Sequence, residues 1–320
     1  MRRIILLATL LAATGFAAPS FAADKVIVGY GTGTTALPYF VGVETGIFAK
    51  HGIDIEGAKI PLNSNLQSSL IANQIDAAAV MLAVEGMAGN FVKPGSITYI
   101  SLNAQSDDYR MEQFVARKGV DIKSLADFKG KKLVAAPGIG NVTIAKAALQ
   151  AAGLKEGDYK LDQLDTSQHI NVLTSGQYDG AFTLEPNATM MRAKDVAYTV
   201  EAGVVADIVL GNRQAKAYMA GGALSQKFLA DRPEVAKRYV AAWDEALDFI
   251  KQKPTEARQT LLKYTPTAPE IVNDVPLVLF SKISDVSQAD IENFQKYIDF
   301  SVKIGVIPGA VDVRRYIVKF

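Results

Sequence analysis

Short apolar runs alternate with amphipathic stretches along most of this chain. The runs at 25–30, 53–60, 76–80 and 98–102 predict strands, and the stretch at 39–50 predicts a helix that ends before Gly52. A second helix is expected at 66–72. Strands and helices that alternate on this scale predict an α/β fold with a parallel sheet covered by helices.

Part of this order occurs twice. The segment 73–78 (NQIDAA) matches 176–181 (GQYDGA), and in both an Asn or Gly suited to a helix end precedes an Asp and a small-residue strand. Upstream, the strand at 132–136 and the glycine turn at 137–140 repeat the strand and turn of 25–33. The repeat predicts two similar Rossmann-like lobes with a ligand cleft where their strand ends face each other.

The last third of the chain is helical in pattern. Asp231-Arg232-Pro233-Glu234 is typical of a helix start, and the apolar positions that follow fall on one stripe. We expect this segment to pack on the first lobe, so that the chain crosses between lobes twice. Lobe 1 would then comprise 23–111 and 217–320, and lobe 2 would comprise 112–216.

Residues 1–22 have the pattern of a signal peptide. Arg2 and Arg3 precede an apolar run at 4–16, and Ser20-Phe21-Ala22 has the spacing of a cleavage site. The run is shorter than the about 20 residues of a membrane span. We therefore expect export to the periplasm by the general secretory route, with cleavage after Ala22.

Composition narrows the chemistry. The chain has 320 residues, 49% of them hydrophobic, with 34 Lys and Arg against 33 Asp and Glu. This balance argues against nucleic-acid binding. The absence of cysteine excludes disulfides, Cys-ligated metals and Cys nucleophiles. The two histidines, His51 and His169, have no metal-binding motif beside them. We expect no cofactor, no metal and no catalysis.

The first glycine turn permits two interpretations. Residues 31–36 fit the G-x-G-x-x-A dinucleotide fingerprint, with Asp54 at the expected distance. Pro38 and the export signal count against that interpretation, but an exported Rossmann oxidoreductase stays an alternative. The other interpretation is a glycine turn whose helix start offers free N–H groups to any anionic group, as the turn at 137–143 also would.

The segment 43–53 (VETGIFAKHGI) resembles the E-x-G-x-F-x-x-x-G-(I/L) signature of periplasmic substrate-binding proteins from the nitrate/sulfonate/taurine class of ABC importers. The similarity continues in order through 73–76, 122–132, 176–180 and Glu185-Pro186, and it ends at 304–307. The resemblance implies the type II periplasmic binding protein fold and capture of a small solute. It also implies delivery to a membrane permease with its cytoplasmic ATPase. We further expect a monomer.

The same resemblance implies which residues hold the ligand. The family uses the first turn, the residues after the second and fourth strands, the second-lobe turn and the Glu-Pro position. In this chain those positions are Thr32, Thr34, Thr35, Leu37, Asn63, Ser64, Asn103, Gln105, Asn141, Val142, Thr143 and Glu185. None is Lys or Arg, so a bound anion would depend on backbone N–H groups, hydroxyls and amides. We expect Glu185 to accept a hydrogen bond from the ligand.

Two questions stay open at this stage. The fold also serves enzymes, namely menaquinone-pathway lyases and a pyrimidine-precursor synthase, although the Cys-rich motif of the synthase is impossible here. The sequence also leaves open whether Glu85, His169 or Arg213 reaches the cleft. The ligand itself is expected to be a sulfonate, a carboxylate or a heterocycle.

Overall fold

Twelve strands form two separate sheets in the computed structural model, which describes residues 23–318 and 320. The predicted signal peptide lies outside the described residues. The strands are β1 (Asp24–Tyr30), β2 (Ile53–Lys59), β3 (Ala77–Leu82), β4 (Ile97–Tyr99), β5 (Ser101–Gln105), β6 (Glu112–Arg117), β7 (Lys132–Ala135), β8 (Lys160–Gln163), β9 (Gly180–Leu184), β10 (Ala197–Ala202), β11 (Ala217–Ser225) and β12 (Leu279–Lys282).

Helices cover both sheets. They are α1 (Leu37–Glu44), α2 (Ile47–Lys50), α3 (Asn63–Ile71), α4 (Ala83–Val92), α5 (Ile139–Ala151), α6 (Thr166–Thr174), α7 (Asn187–Ala193), α8 (Val204–Leu210), α9 (Gln226–Asp231), α10 (Pro233–Gln252), α11 (Pro254–Gln259), α12 (Leu261–Tyr264) and α13 (Gln288–Lys303). In the part of the chain that the structure describes, no helix is long and apolar enough to cross a membrane.

The larger sheet has the strand order β12-β5-β11-β3-β1-β2, with β4 also paired to β11, and the smaller sheet has the order β10-β6-β9-β7-β8. All strands of the smaller sheet come from 112–202, and those of the larger sheet come from the segments on either side. Strands β6 and β11 therefore begin at the proposed lobe limits. We therefore propose the same division into lobe 1 (23–111 and 217–320) and lobe 2 (112–216).

The sheets are mixed, so the prediction of a parallel sheet is only partly right. Strand β1 pairs parallel with β2 and β3, and β7 pairs parallel with β8 and β9. The strands that carry the chain into each lobe run the other way: β6 is antiparallel to β9, and β11 is antiparallel to β3. Local hydrophobic patterns do not determine this direction, because it depends on where the chain arrives from.

The internal repeat is confirmed in atomic detail. Asn73 and Gly176 both have positive φ, at 56° and 74°. The side chain of Asp76 accepts a hydrogen bond from Ile27 N at 2.9 Å, and that of Asp179 accepts one from Lys132 N at 2.9 Å. In each lobe, this aspartate therefore links the third strand of a β-α-β-α-β unit to the first.

Two predicted elements are divided in the structure. The helix expected at 39–50 is α1 followed by α2, because Gly46 between them has a φ of +72°. The strand expected at 98–102 is β4 and β5, which both pair with β11 and meet at Ile100. Asn103 and Gln105 consequently lie within β5 and not in a loop after it.

Helix α10 packs on the core of our proposed lobe 1. Its stripe is buried throughout and comprises Val235, Tyr239, Val240, Trp243, Leu247 and Ile250. The stripe packs in one cluster with residues of β1 and α1. Trp243 is 1% exposed, and its Nε1 donates to Ser101 Oγ at 3.0 Å, so even its polar atom is satisfied.

Candidate functional site

A cavity of about 500 Å³ lies between the two sheets. Its wall takes residues from both lobes, and many of them lie just past the carboxyl ends of β1, β2, β7, β8 and β9. Ligands of open α/β sheets bind at this edge, because helix starts and loop side chains gather there. The position of the cavity agrees with the cleft predicted from the repeat.

Most of the predicted site residues line this cavity. Those in its wall are Thr32, Thr35, Asn63, Ser64, Asn103, Gln105, Asn141 and Glu185. Those outside it are Thr34, Leu37, Val142 and Thr143. The structure therefore brings together the strand-end residues but only part of each glycine turn.

The side chains of the first turn divide between the core of lobe 1 and the cavity. A 3-10 turn begins at Thr34, which is 1% exposed and donates from Oγ1 to Met111 Sδ at 3.2 Å. Leu37 begins α1 and is fully buried in the lobe 1 core. Thr32 and Thr35 remain on the cavity side of the same turn. The expectation for Thr34 and Leu37 is corrected accordingly.

The second turn is shorter than predicted, because α5 already begins at Ile139. Val142 and Thr143 thus lie within the helix, and Val142 packs against the core. Asn141 stays in the wall, where its Nδ2 donates to Pro137 O at 2.8 Å.

Glu85 meets this turn from the other lobe. It lies in the first turn of α4, and its Oε1 accepts a hydrogen bond from Gly140 N at 3.4 Å. A Cβ atom at Gly138 would lie 3.1 Å from the same oxygen, so glycine provides the space that the carboxylate occupies. Burial raises the pKa of Glu85. Glu85 therefore bridges the lobes behind the cavity, and it is not among the residues that line the wall.

Three buried polar residues of the wall lie on β5 and β6, namely Asn103, Gln105 and Glu112. Asn103 and Glu112 are 3% and 4% exposed, and neither Asn103 Oδ1 nor Glu112 Oε2 has a partner among the described residues. Gln105 Oε1 accepts from Glu112 N at 3.3 Å. Burial raises the pKa of Glu112 to about 7. The wall thus includes a carboxyl group that ionises near neutrality.

Glu185 contributes to the wall, but its carboxylate is engaged by lobe 2 itself. Oε2 accepts from Thr189 N at 3.1 Å, and Oε1 accepts from Arg192 Nη2 at 3.4 Å and from Gln113 Nε2. The residue is completely buried. The expectation that Glu185 accepts a hydrogen bond from the ligand does not fit this arrangement, because protein donors already occupy both oxygens.

The sequence also left open whether His169 and Arg213 reach the cleft, and in the structure both contact other protein groups instead. His169 is fully buried, with its ring nitrogens at 2.9 Å from Thr183 Oγ1 and 3.1 Å from Leu164 O, and burial lowers its pKa to about 4. Arg213 forms ion pairs with Asp107 and Glu201. Neither residue lines the cavity.

Several wall residues were missed by the sequence analysis. Glu112 entered the sequence analysis only as the first residue of lobe 2, and no motif around it indicated a site. The others are brought in from distant segments: Lys59, Met111, Gln163, Asp165, Thr166, Ser167, Asn187, Met219 and Val278. Of these, Asp165 caps α6 by accepting from Ser167 N at 2.9 Å.

The dinucleotide interpretation of the first turn is wrong in its geometry. Asp54 pairs with Lys25 at the beginning of β1 and β2, whereas the glycine turn follows the end of β1 at Tyr30. An acidic residue that contacts a ribose must lie at the same strand ends as the glycines. Within the described residues, no group of His, Cys, Asp and Glu is arranged to hold a metal ion.

Comparisons with known proteins agree with this architecture. The family model described as NMT1/THI5 like matches residues 34–257. A Brucella abortus protein, named provisionally as a binding protein, is 27% identical over 276 residues, which is 82% of this chain and 79% of that protein.

Two solved structures share the fold. The periplasmic aliphatic sulphonate binding protein SsuA of Escherichia coli has a TM-score of 0.72 at 14% identity, covering 92% of each chain. The periplasmic nitrate-binding protein NrtA of Synechocystis has a TM-score of 0.71 at 16% identity, covering 91% of this chain and 84% of that one. At these identities the matches establish the two-lobed fold and leave the ligand open.

Proposed function

Because the chain belongs to the NMT1/THI5-like family, we propose that it is the extracytoplasmic solute-binding component of an ABC importer. It captures a small organic solute between its lobes and delivers it to a membrane permease coupled to a cytoplasmic ATPase. The observation that carries this proposal is the cavity of about 500 Å³, whose wall is shared between the two lobes. A solute bound there contacts both lobes, so its binding favours the closed arrangement.

The connections between the lobes support a hinge. Strand β6 leads into lobe 2 directly after β5, and the chain returns through β11, which pairs with β5. The two crossings are therefore next to each other, because Ala217 at the start of β11 pairs with Gln105 at the end of β5. Rotation about two neighbouring segments opens a cleft without unfolding either sheet.

Binding without turnover agrees with the side chains present. The two histidines are the residues most often used as general bases, and both are engaged by protein groups. His51 Nε2 lies 2.9 Å from Glu245 Oε2, and His169 is held by Thr183 and Leu164. The sequence has no cysteine to act as a nucleophile.

The test begins with a thermal-shift screen of purified mature protein against sulfonates, carboxylates, amines and heterocycles. A true ligand raises the melting temperature by mass action, in proportion to the logarithm of its concentration above Kd. Small-angle scattering should then show a smaller radius of gyration with the ligand than without it. The ligand must be recovered unchanged after prolonged incubation, since its consumption would establish an enzyme instead.

Transport is tested in cells. Deleting the gene should abolish uptake of the identified solute at low external concentration, and restoring the gene should recover it. Unchanged uptake in the deletion strain would contradict the proposed partnership with a permease. Fractionation should find the protein in the periplasm with the N-terminus Ala23, and light scattering should give the mass of a monomer.

A further inference from the structure

Three residues with an unpartnered oxygen acceptor line the cavity, each on a different element. Asn63 at the start of α3, Asn103 on β5 and Glu112 on β6 all line the wall. Asn63 Oδ1, Asn103 Oδ1 and Glu112 Oε2 are buried and have no hydrogen-bond partner among the described residues. Because buried polar atoms in native proteins nearly always have partners, these three oxygens point to a bound molecule that carries donors.

The starts of α5 and α6, which lie near the cavity in lobe 2, each already carry a carboxyl group. Glu85 Oε1 accepts from Gly140 N in the first turn of α5, and Asp165 Oδ1 accepts from Ser167 N in the first turn of α6. Helix N-termini are the places where a ligand anion is normally stabilised. A sulfonate or carboxylate brought to either start would first have to displace the carboxyl group that already accepts from Gly140 N or Ser167 N, so these positions are unsuitable for an anion.

The charged side chains of the cavity wall also disfavour an anion, because acidic residues outnumber basic ones. Among the described residues that line the cavity, Lys59 is the only basic side chain, and it is exposed to solvent. The acidic side chains are Glu112, Asp165 and Glu185, and Glu185 is paired with Arg192 outside the wall. Apolar wall residues complete the lining: Leu62, Leu66, Val80, Leu82, Met219 and Val278. These side chains suit a flat or compact apolar body.

We infer that the solute is a nitrogen-containing molecule, neutral or cationic, whose N–H groups donate to Asn63, Asn103 and Glu112 while its apolar part packs on the aliphatic wall. Amines, amidines, amides and amino-substituted rings belong to this class. Inorganic oxyanions and sulfonates do not. The inference rests on the proposed function, and it specifies the chemistry that the proposed binding protein selects.

The first experiment compares two sets of solutes matched for size in a thermal-shift assay at neutral pH. One set contains N–H donors, with benzamidine and 2-aminopyridine as reference probes. The other contains anions, with benzoate, benzenesulfonate and nitrate. We expect members of the first set to raise the melting temperature, and we expect no comparable rise from the second set.

The outcomes separate the two proposals. If only anions stabilise the protein and close it in small-angle scattering, the inference about ligand class is overturned and the proposed function stands. If no solute of either set stabilises the protein, both proposals are contradicted. Stabilisation confined to N–H donors supports both.

Variants then test the named acceptors with the best probe of the donor set. Glu112→Gln keeps the size of the side chain but replaces one of its two acceptor oxygens with an NH2 donor, which would oppose an N–H of the ligand, and Asn103→Ser removes the amide oxygen. Each should weaken the calorimetric affinity tenfold to a hundredfold, as expected for a lost hydrogen bond in a desolvated site. The control is Glu156→Gln, because Glu156 has an 87% exposed side chain in lobe 2, away from the wall.

Circular dichroism shows whether each variant is folded before its affinity is measured. If Glu112→Gln does not fold, Asn103→Ser carries the test alone. Affinities within twofold of the unmodified protein for every folded wall variant would overturn the inference. A loss equal to that of the control would do the same.

Discussion

At the scale of a single residue, Glu185 shows that a side chain in a cavity wall can stabilise the fold and need not contact the ligand. The cavity wall includes the residue, yet its carboxylate is held by Thr189, Arg192 and Gln113. Burial raises the pKa of Glu185, and the charge of Arg192 opposes that rise. The carboxylate and guanidinium therefore stabilise each other within lobe 2.

Replacing Glu185 should consequently affect folding more than binding. We expect Glu185→Ala to lower the free energy of unfolding by about 1–3 kcal/mol, because buried donors on Gln113 and Thr189 lose their acceptor. Urea denaturation measures this change, with Glu156→Ala as the exposed control. The ligand affinity should change by less than about threefold. Unchanged stability with a large loss of affinity would show instead that the ligand contacts Glu185.

At the scale of secondary-structure elements, Asp76 and Asp179 link equivalent strands in the two lobes. Asp76 and Asp179 each accept a hydrogen bond from a backbone N–H of the first strand in their own β-α-β-α-β unit, and each directly precedes the third strand of that unit. Their backbone N–H groups also donate to that strand, at 2.9 Å for Asp76 and 2.8 Å for Asp179. The same fastening thus occurs once in each lobe.

The matching contacts predict matching but separate effects. Asp76→Ala should increase amide hydrogen exchange in β1 and β3, and Asp179→Ala should increase it in β7 and β9. Asp76→Ala should cost about 1–3 kcal/mol, since the partly buried N–H of Ile27 loses its acceptor. Asp179→Ala should cost less, because its hydrogen bond with Lys132 N is exposed to solvent. The exposed Asp54 in β2 provides the control, as Asp54→Ala. Faster exchange in both lobes from one substitution would contradict the independence of the two fastenings.

Elements set by local chemistry could be predicted from the sequence, whereas those set by long-range pairing could not. The helix ends at Asn73 and Gly176 could be predicted, because Asn and Gly adopt the positive φ of a helix end more easily than other residues do. The break at Gly46 was missed because the apolar pattern continues across it. Strand β5 extends beyond Leu102 because β11 and β12 pair with it on both sides, and those partners come from the far end of the chain.

The whole molecule is organised around the contact between its lobes. The cavity position followed from the repeat, because two similar lobes place their strand ends face to face. Residues next to strand ends, such as Asn63 and Asn141, were named from the positions that the family resemblance implies. Residues such as Gln163 and Val278 were not, because only the assembled fold brings them to the same wall.

Glu85 is the residue on which we expect the closed arrangement to depend. Its carboxylate spans from α4 to the first turn of α5, so it joins the lobes without a ligand. Glu85→Ala should therefore increase the radius of gyration of the ligand-free protein in small-angle scattering. Ligand affinity should fall by the same factor as the closed fraction, because binding then has to restore closure.

Glu85→Gln provides the matched comparison, since its amide oxygen still accepts from Gly140 N. We expect this variant to lie between the unmodified protein and Glu85→Ala. Scattering profiles that are identical for all three proteins would show that closure is held by other contacts.

The single tryptophan of the chain has a practical consequence. Trp243 is buried in lobe 1, beside Tyr239 and with its indole nitrogen on Ser101, so its fluorescence emission reports on the surroundings of that lobe alone. Far-ultraviolet circular dichroism, in contrast, registers the helices of both lobes. Coincident denaturation curves from the two signals would indicate that the lobes unfold as one cooperative unit. A red shift in emission that comes before or after the loss of ellipticity would show that each lobe has its own stability.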